Sequence, residues 1–161
     1  MIKIAVCGAA GRMGQRIIVA VREAGCQLSG ALERPGHPLV GQDAGLLAGC
    51  GELGVKISDD LNIVVAGCDV LIDFTTPKVS LKNLEVCGLK KKAIVIGSTG
   101  FSAEERALAA ELARDVPCVL APNMSVGVNV CFKVLKDVAR TLGDDFDVER
   151  SEEHTSELQS Q

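Results

Sequence analysis

The 161 residues include no tryptophan and no tyrosine, and phenylalanine occurs only four times. The core must therefore be aliphatic, drawn from the Val, Ile, Leu and Ala of a composition that is 47% apolar. Such a core suits parallel strands covered by helices on both faces. Without tyrosine, the Tyr-x-x-x-Lys pair of a sugar epimerase is excluded. Histidine occurs twice, at His37 and His154, and neither has a second ligand at a recognised spacing, so no metal centre is expected. Seven cysteines, at positions 7, 26, 50, 68, 87, 118 and 131, form no CxxC. Several lie in apolar segments, where a reduced thiol behaves as a small hydrophobe. With no secretory signal and no long uninterrupted apolar span, the expected compartment is the reducing cytoplasm, with no membrane partner. Lys90, Lys91 and Lys92 form the only basic run in a chain of net charge −4, so no nucleic-acid partner is expected.

The informative stretch is the first fourteen residues. An apolar run, Ile2 to Cys7, stops at Gly8, and Gly11 and Gly14 follow before a helical pattern from Gln15 to Val21. This reads as strand, tight turn and helix start. Gly8 permits the sharp turn, Gly11 leaves no Cβ between backbone and ligand, and Gly14 lets the helix lie close to the sheet. Free amides at the helix start, with the positive end of its dipole, suit a diphosphate. The spacing GxxGxxG is not decisive by itself, because glycine turns join strands to helices in many domains. A second apolar segment, Leu28 to Leu32, ends in Glu33, nineteen positions past Gly14. There a carboxylate can accept hydrogen bonds from the adenosine ribose hydroxyls. Arg34, next in the chain, is a cation able to pair with a 2′-phosphate. The pair points to NADH and NADPH alike.

Further strands are expected at Val55–Ser58 (a short edge strand), Asp69–Phe74, Ala93–Ile96 and Pro117–Leu120. Helices are expected near Asp43–Ala48 and Asp59–Ala66, from Pro77 to about Lys90, from a Ser102/Glu105 capping box to Arg114, and from Ser125 to Leu142. The last has an apolar face at Val126, Val130, Val134 and Val138, and Phe146–Glu149 begins something strand-like. The glycine-rich segment from Pro35 to Gly54 reads as a flexible flap near the adenosine end. Strands and helices alternate, and the small polar turns all follow strands. The fold class is therefore α/β, a doubly wound, Rossmann-type and mostly parallel sheet with helices on both faces. In it, Gly8 to Met13, Glu33, Phe74 and Thr75, Gly97 to Thr99 and Ala121 to Met124 would line one crevice. Residues 1–124 form the expected dinucleotide-binding domain and 125–149 a connecting helix and the start of a truncated second domain. Residues 150–161 are a polar tail.

The stretches Val6 to Gly14, Ala31 to Arg34, Asp73 to Thr75, Gly97 to Phe101 and Ala121 to Asn129 closely resemble, in order, the amino-terminal part of the 4-hydroxy-tetrahydrodipicolinate (dihydrodipicolinate) reductases of lysine and diaminopimelate biosynthesis. The resemblance implies that Gly8, Ala9, Ala10, Gly11, Arg12 and Met13 hold the pyrophosphate of NADH or NADPH. Glu33 would take the ribose, and Arg34, with Arg12, a 2′-phosphate. Gly97, Ser98 and Thr99, with Ala121, Pro122, Asn123 and Met124, would frame the nicotinamide. Ser98 stands where the family usually has threonine. The implied reaction is hydride transfer to an unsaturated cyclic imine dicarboxylate in a homotetramer. The family's proton donor and carboxylate clamp, a Glu-x-His-His-x-x-Lys pattern followed by Gly-Thr, is missing, so no catalytic residue is assigned. Glu153-His154 is only superficially similar, since Thr155 follows and no Lys or Arg comes after it. The tail resembles a translated sequencing-library adapter and is expected to be an artefactual end. The chain is thus expected to bind the coenzyme without turnover. The alternatives are a non-catalytic nucleotide-binding module or another Rossmann-type enzyme; a methyltransferase would leave Arg34 and the turn at Asn123 unexplained.

Overall fold

β1 (Lys3–Cys7) is the strand against which the others are laid in the computed structural model, which describes residues 1–143 together with Phe146, Asp147 and Glu149. It pairs with β2 (Gln27–Leu32) on one side and β4 (Val70–Asp73) on the other. β3 (Ile57–Ser58) lies outside β2, and β5 (Ala93–Ile96) and β6 (Cys118–Leu120) lie beyond β4. The order is β3-β2-β1-β4-β5-β6 and every strand ladder is parallel. The winding therefore reverses between β1 and β4, which opens a crevice at their carboxyl ends.

Alternation along β1 shows how both faces are covered. Ala5 and Cys7 belong to one buried cluster, Val6 to the other, as the two-residue period of a strand requires. The Val6 cluster takes Ile18 and Val21 from α1 (Arg12–Glu23) and Ala44 from α2 (Ala44–Leu47). The Ala5 side takes Val65 from α3 (Leu61–Ala66), Leu84 from α4 (Pro77–Leu89) and Ala109 from α5 (Ala103–Leu112). Ile18 and Leu84, both fully buried, each contribute about 2 kcal/mol by leaving water. Phe101 is the one aromatic ring among the buried residues of the Ala5 cluster, and the other buried cluster holds none among the described residues.

Local chemistry sets the helix ends. Gly11 is the N-cap of α1, so the helix begins at Arg12, inside the glycine motif and ahead of the expected start at Gln15. Pro77 occupies the first turn of α4, and Ser102 and Glu105 complete a reciprocal capping box on α5. That helix ends at Leu112 because Arg114 and Val116 turn back to Glu111 and Ala113 in tighter bonds.

The segment read as a flap is instead built around one side chain. The Asp43 carboxylate accepts from the backbone N–H groups of Gly45, Leu46, Leu53 and Val55 at 2.9–3.2 Å. Gly41 and Gln42 bond to Ile57, and Ala44 bonds to Val55. The Arg22 guanidinium of α1 donates to the Cys50 carbonyl. One aspartate at an N-cap thus replaces the sheet and helix bonds that so long a connection would otherwise lack.

The chain divides into two compact units, Met1–Pro122 and Asn123–Gln161. In the second, α6 (Val126–Leu142) is capped by Ser125, whose hydroxyl accepts from Val128 N–H at 3.4 Å. Of the strand-like start expected over 146–149, the described Phe146, Asp147 and Glu149 carry no strand, and Val148 and the tail beyond Glu149 lie outside the described residues. No helix among the described residues is long and apolar enough to cross a membrane.

Candidate functional site

The turn after β1 commits its first amides to β2 and the residue that follows it. Gly8, at φ +72°, and Ala9 donate to the Leu32 carbonyl at 2.9 and 3.0 Å, carrying the β1–β2 ladder past the strand ends. Gly11 N–H returns to the Gly8 carbonyl at 2.9 Å. Ala10 N–H donates to Glu33 Oε2 at 3.2 Å, while Glu33 Oε1 accepts from Arg34 N–H at 3.0 Å. The amides of Arg12, Met13 and Gly14 then head α1, which has no side-chain cap at Gly11. Like those of any helix start they have no intrahelical acceptor. An anion placed there meets both these donors and the dipole. Gly14 makes the approach possible: a Cβ on it would strike the Gly8 carbonyl and lie 2.8 Å from Ala9 Cα.

Beside this turn lies a cavity of about 370 Å³, within the range of small-molecule sites. It brings together Gly8, Glu33, Arg34 and Thr75. Leu61 and Val79, together with Asn83 from α4, also line it. None of these last three was legible as a site residue, because each sits in an ordinary helical pattern without a motif. Arg12 and Met13 line a separate cleft of about 440 Å³ with Gln15, Arg16 and Ala48.

The remaining candidates sit at the ends of β4, β5 and β6. The Phe74 ring lies so close beneath Gly97 that a Cβ there would fall within it, and Gly97 N–H donates to the Asp73 carbonyl at 2.8 Å. Ser98 is 4% exposed, with its hydroxyl 2.8 Å from that of Ser80 on α4, whereas Thr99 is exposed. Ala121 N–H donates to the Ile96 carbonyl at 3.1 Å, and Pro122 follows it in the same unit. Asn123 and Met124 belong to the second unit, where Asn123 Oδ1 accepts from Ser125 N–H at 2.8 Å.

Burial, and then the Asp73 charge, push the Cys7 thiol up to about 12, and burial does the same to Cys87. Such a thiol stays protonated and inert at neutral pH. In the unfolded chain these groups ionise near 9.0, so above that pH the unfolded state sheds protons that the folded state keeps. Their contribution to stability is complete below pH 9 and is lost as pH climbs toward 12. Urea unfolding is expected to show a lower midpoint at about pH 10 than at about pH 7. Equal midpoints would show these thiols to be freely solvated.

The sequence model described as dihydrodipicolinate reductase, N-terminus, matches residues 2–124. The chain belongs to the dihydrodipicolinate reductase family. It is 84% identical over 154 residues to the 4-hydroxy-tetrahydrodipicolinate reductase of Trichlorobacter lovleyi and 85% identical over 154 residues to that of Geobacter metallireducens. Each comparison covers 96% of this chain and 58% of the relative, so the chain spans little more than half the length of these reductases. Among solved structures it is similar to a dipicolinate-bound dihydrodipicolinate reductase from Paenisporosarcina sp. TG-14. That match has a TM-score of 0.67 and 25% identity, and covers 83% of this chain and 52% of that one. The residues that carried the family resemblance in the sequence, from Val6 to Asn129, fall largely within the matched span.

Proposed function

We propose that this chain is the coenzyme-holding portion of a 4-hydroxy-tetrahydrodipicolinate reductase and that it takes both NADH and NADPH. The observation that carries this reading is the 3.2 Å bond from Ala10 N–H to Glu33, which ties the ribose-reading carboxylate to the phosphate turn. Gly8, which opens that turn, and Glu33 line one cavity with Arg34 and Thr75. Arg12, Met13 and Gly14 N–H would hold the pyrophosphate, Glu33 the adenosine ribose, and Arg34 a 2′-phosphate. Gly97 to Thr99, with Ala121 and Pro122, would frame the nicotinamide. Bound NAD(P)H supplies the hydride; these residues bind it and set its orientation. The cyclic imine dicarboxylate, its proton donor and a homotetramer belong, in this proposal, to the longer protein. Its setting is lysine biosynthesis in the cytoplasm.

Calorimetric titration of the 161-residue chain with NADH and NADPH tests the reading. Both are expected to bind, and addition of the dihydrodipicolinate substrate is expected to give no coenzyme oxidation. Binding of neither coenzyme would remove the proposal, and turnover by this chain alone would overturn the placement of the catalytic groups elsewhere.

A further inference from the structure

β4 ends in a carboxylate with no contact to water: Asp73 is 0% exposed. Its three hydrogen-bond donors are all neutral. Oδ1 accepts from Thr75 N–H at 2.9 Å and from Thr75 Oγ1 at 2.6 Å, and Oδ2 accepts from Asn83 Nδ2 at 2.9 Å. Asn83 is itself 1% exposed, and its amide also donates to Cys7 Sγ at 3.2 Å. Replacing a buried polar pair by well-packed apolar residues of the same volume is often neutral or stabilising. The other buried residues of α4 are Ser80, whose hydroxyl is held by that of Ser98, and the apolar Leu84 and Cys87. Stability of the core therefore does not account for the pair.

Its position does. Asp73 pairs in register with Cys7, the residue before the glycine turn, and Thr75 Cγ2 lies 3.0 Å from the point a Cβ on Gly8 would occupy. Cys7, Gly8, Thr75 and Asn83 all line the same cavity. We propose that Asp73 and Asn83 are positioning residues for the dinucleotide: their buried bond holds the Thr75 turn against Gly8, so that this wall of the cavity is in place before a ligand arrives. The inference rests on the coenzyme-binding reading above. Neither residue touches the coenzyme in this account; both act through Thr75.

Three variants of the 161-residue chain test it, with Kd for NADH and NADPH measured well below each unfolding transition. D73N turns an amide N–H toward the Asn83 amide, and N83D sets carboxylate against carboxylate. The double variant restores one donor facing one acceptor. Each single change is expected to weaken both coenzymes about tenfold, the scale of one lost charge-assisted bond, and the double to return to within about threefold of the unaltered chain. Singles that bind like the unaltered chain, even with a lowered unfolding temperature, would reduce the pair to a structural role and overturn the proposal. So would a double no better than the singles. Hydrogen exchange on the unaltered, ligand-free chain decides the matter should the singles fail to fold. The Thr75 amide is expected to be protected there; exchange as fast as in an open loop overturns a preset turn. Failure of the unaltered chain to bind either coenzyme would instead strike the functional reading, leaving the Thr75 amide to report on the turn itself.

Discussion

Replacing Gly14 with alanine is expected to destabilise the chain by about 3 kcal/mol and to abolish coenzyme binding. The added methyl would collide with the Gly8 carbonyl and stand 2.8 Å from Ala9 Cα. Both obstacles are backbone, so no side-chain rotation relieves them. Either α1 moves off β1 or the turn opens, and each displaces the Arg12 and Met13 amides from the phosphate position. Gly11 provides the contrast: its added Cβ would meet the Gly8 carbonyl at 3.2 Å, a contact that a shift of a few tenths of an ångström relieves. G11A is therefore expected to unfold at nearly the unaltered urea concentration, and G14A well below it. Comparable midpoints for the two would show that helix and turn are not in the contact described.

The second large effect is a change in coenzyme ratio. Arg34→Ala is expected to lower NADPH affinity by about tenfold or more, since a charge-assisted bond to phosphate contributes roughly 1.5–3 kcal/mol, while NADH affinity stays within about twofold. Glu33→Ala should act in the opposite sense. It removes the acceptor for the ribose hydroxyls and releases Ala10 N–H, so NADH is expected to lose about tenfold. NADPH loses less, because the same carboxylate repels a 2′-phosphate. Parallel titrations with the two coenzymes separate these outcomes; equal losses in both variants would place the pair outside the adenosine end.

Much of this was legible from residue types alone, for physical reasons that differ from place to place. Strand ends at Cys7, Leu32 and Ile96 were marked because each apolar run breaks at a glycine or a charge. The Ser102/Glu105 box and Pro77 are local signals whose meaning depends on few neighbours, and the structure has both where expected. The start of α1 was misplaced by three residues because Arg12-Met13-Gly14 carries no apolar period, although Gly11 caps it. The flap misled for a related reason. Its glycines suggested freedom, whereas the Asp43 carboxylate that gathers it bonds to amides up to twelve positions away, a convergence that composition does not encode. Asp73 and Asn83 were invisible as a pair: one ends a strand, the other lies on the buried side of a helix, and only the crossing of β4 and α4 brings them to 2.9 Å. The Ser98 hydroxyl, matched to the family's threonine, proves to be engaged by Ser80 across the same helix.

The knot around Asp43 also governs how the molecule meets others of its kind. β3 is the outermost strand on its side, only two residues long, and an outer strand normally offers a row of unmatched N–H and C=O groups on which a foreign strand can grow. Here Ile57 N–H is already taken by Gln42 and the Ile57 carbonyl by Gly41. An arriving segment finds no vacant ladder along that border, so self-association through this margin is closed by the connection that precedes it.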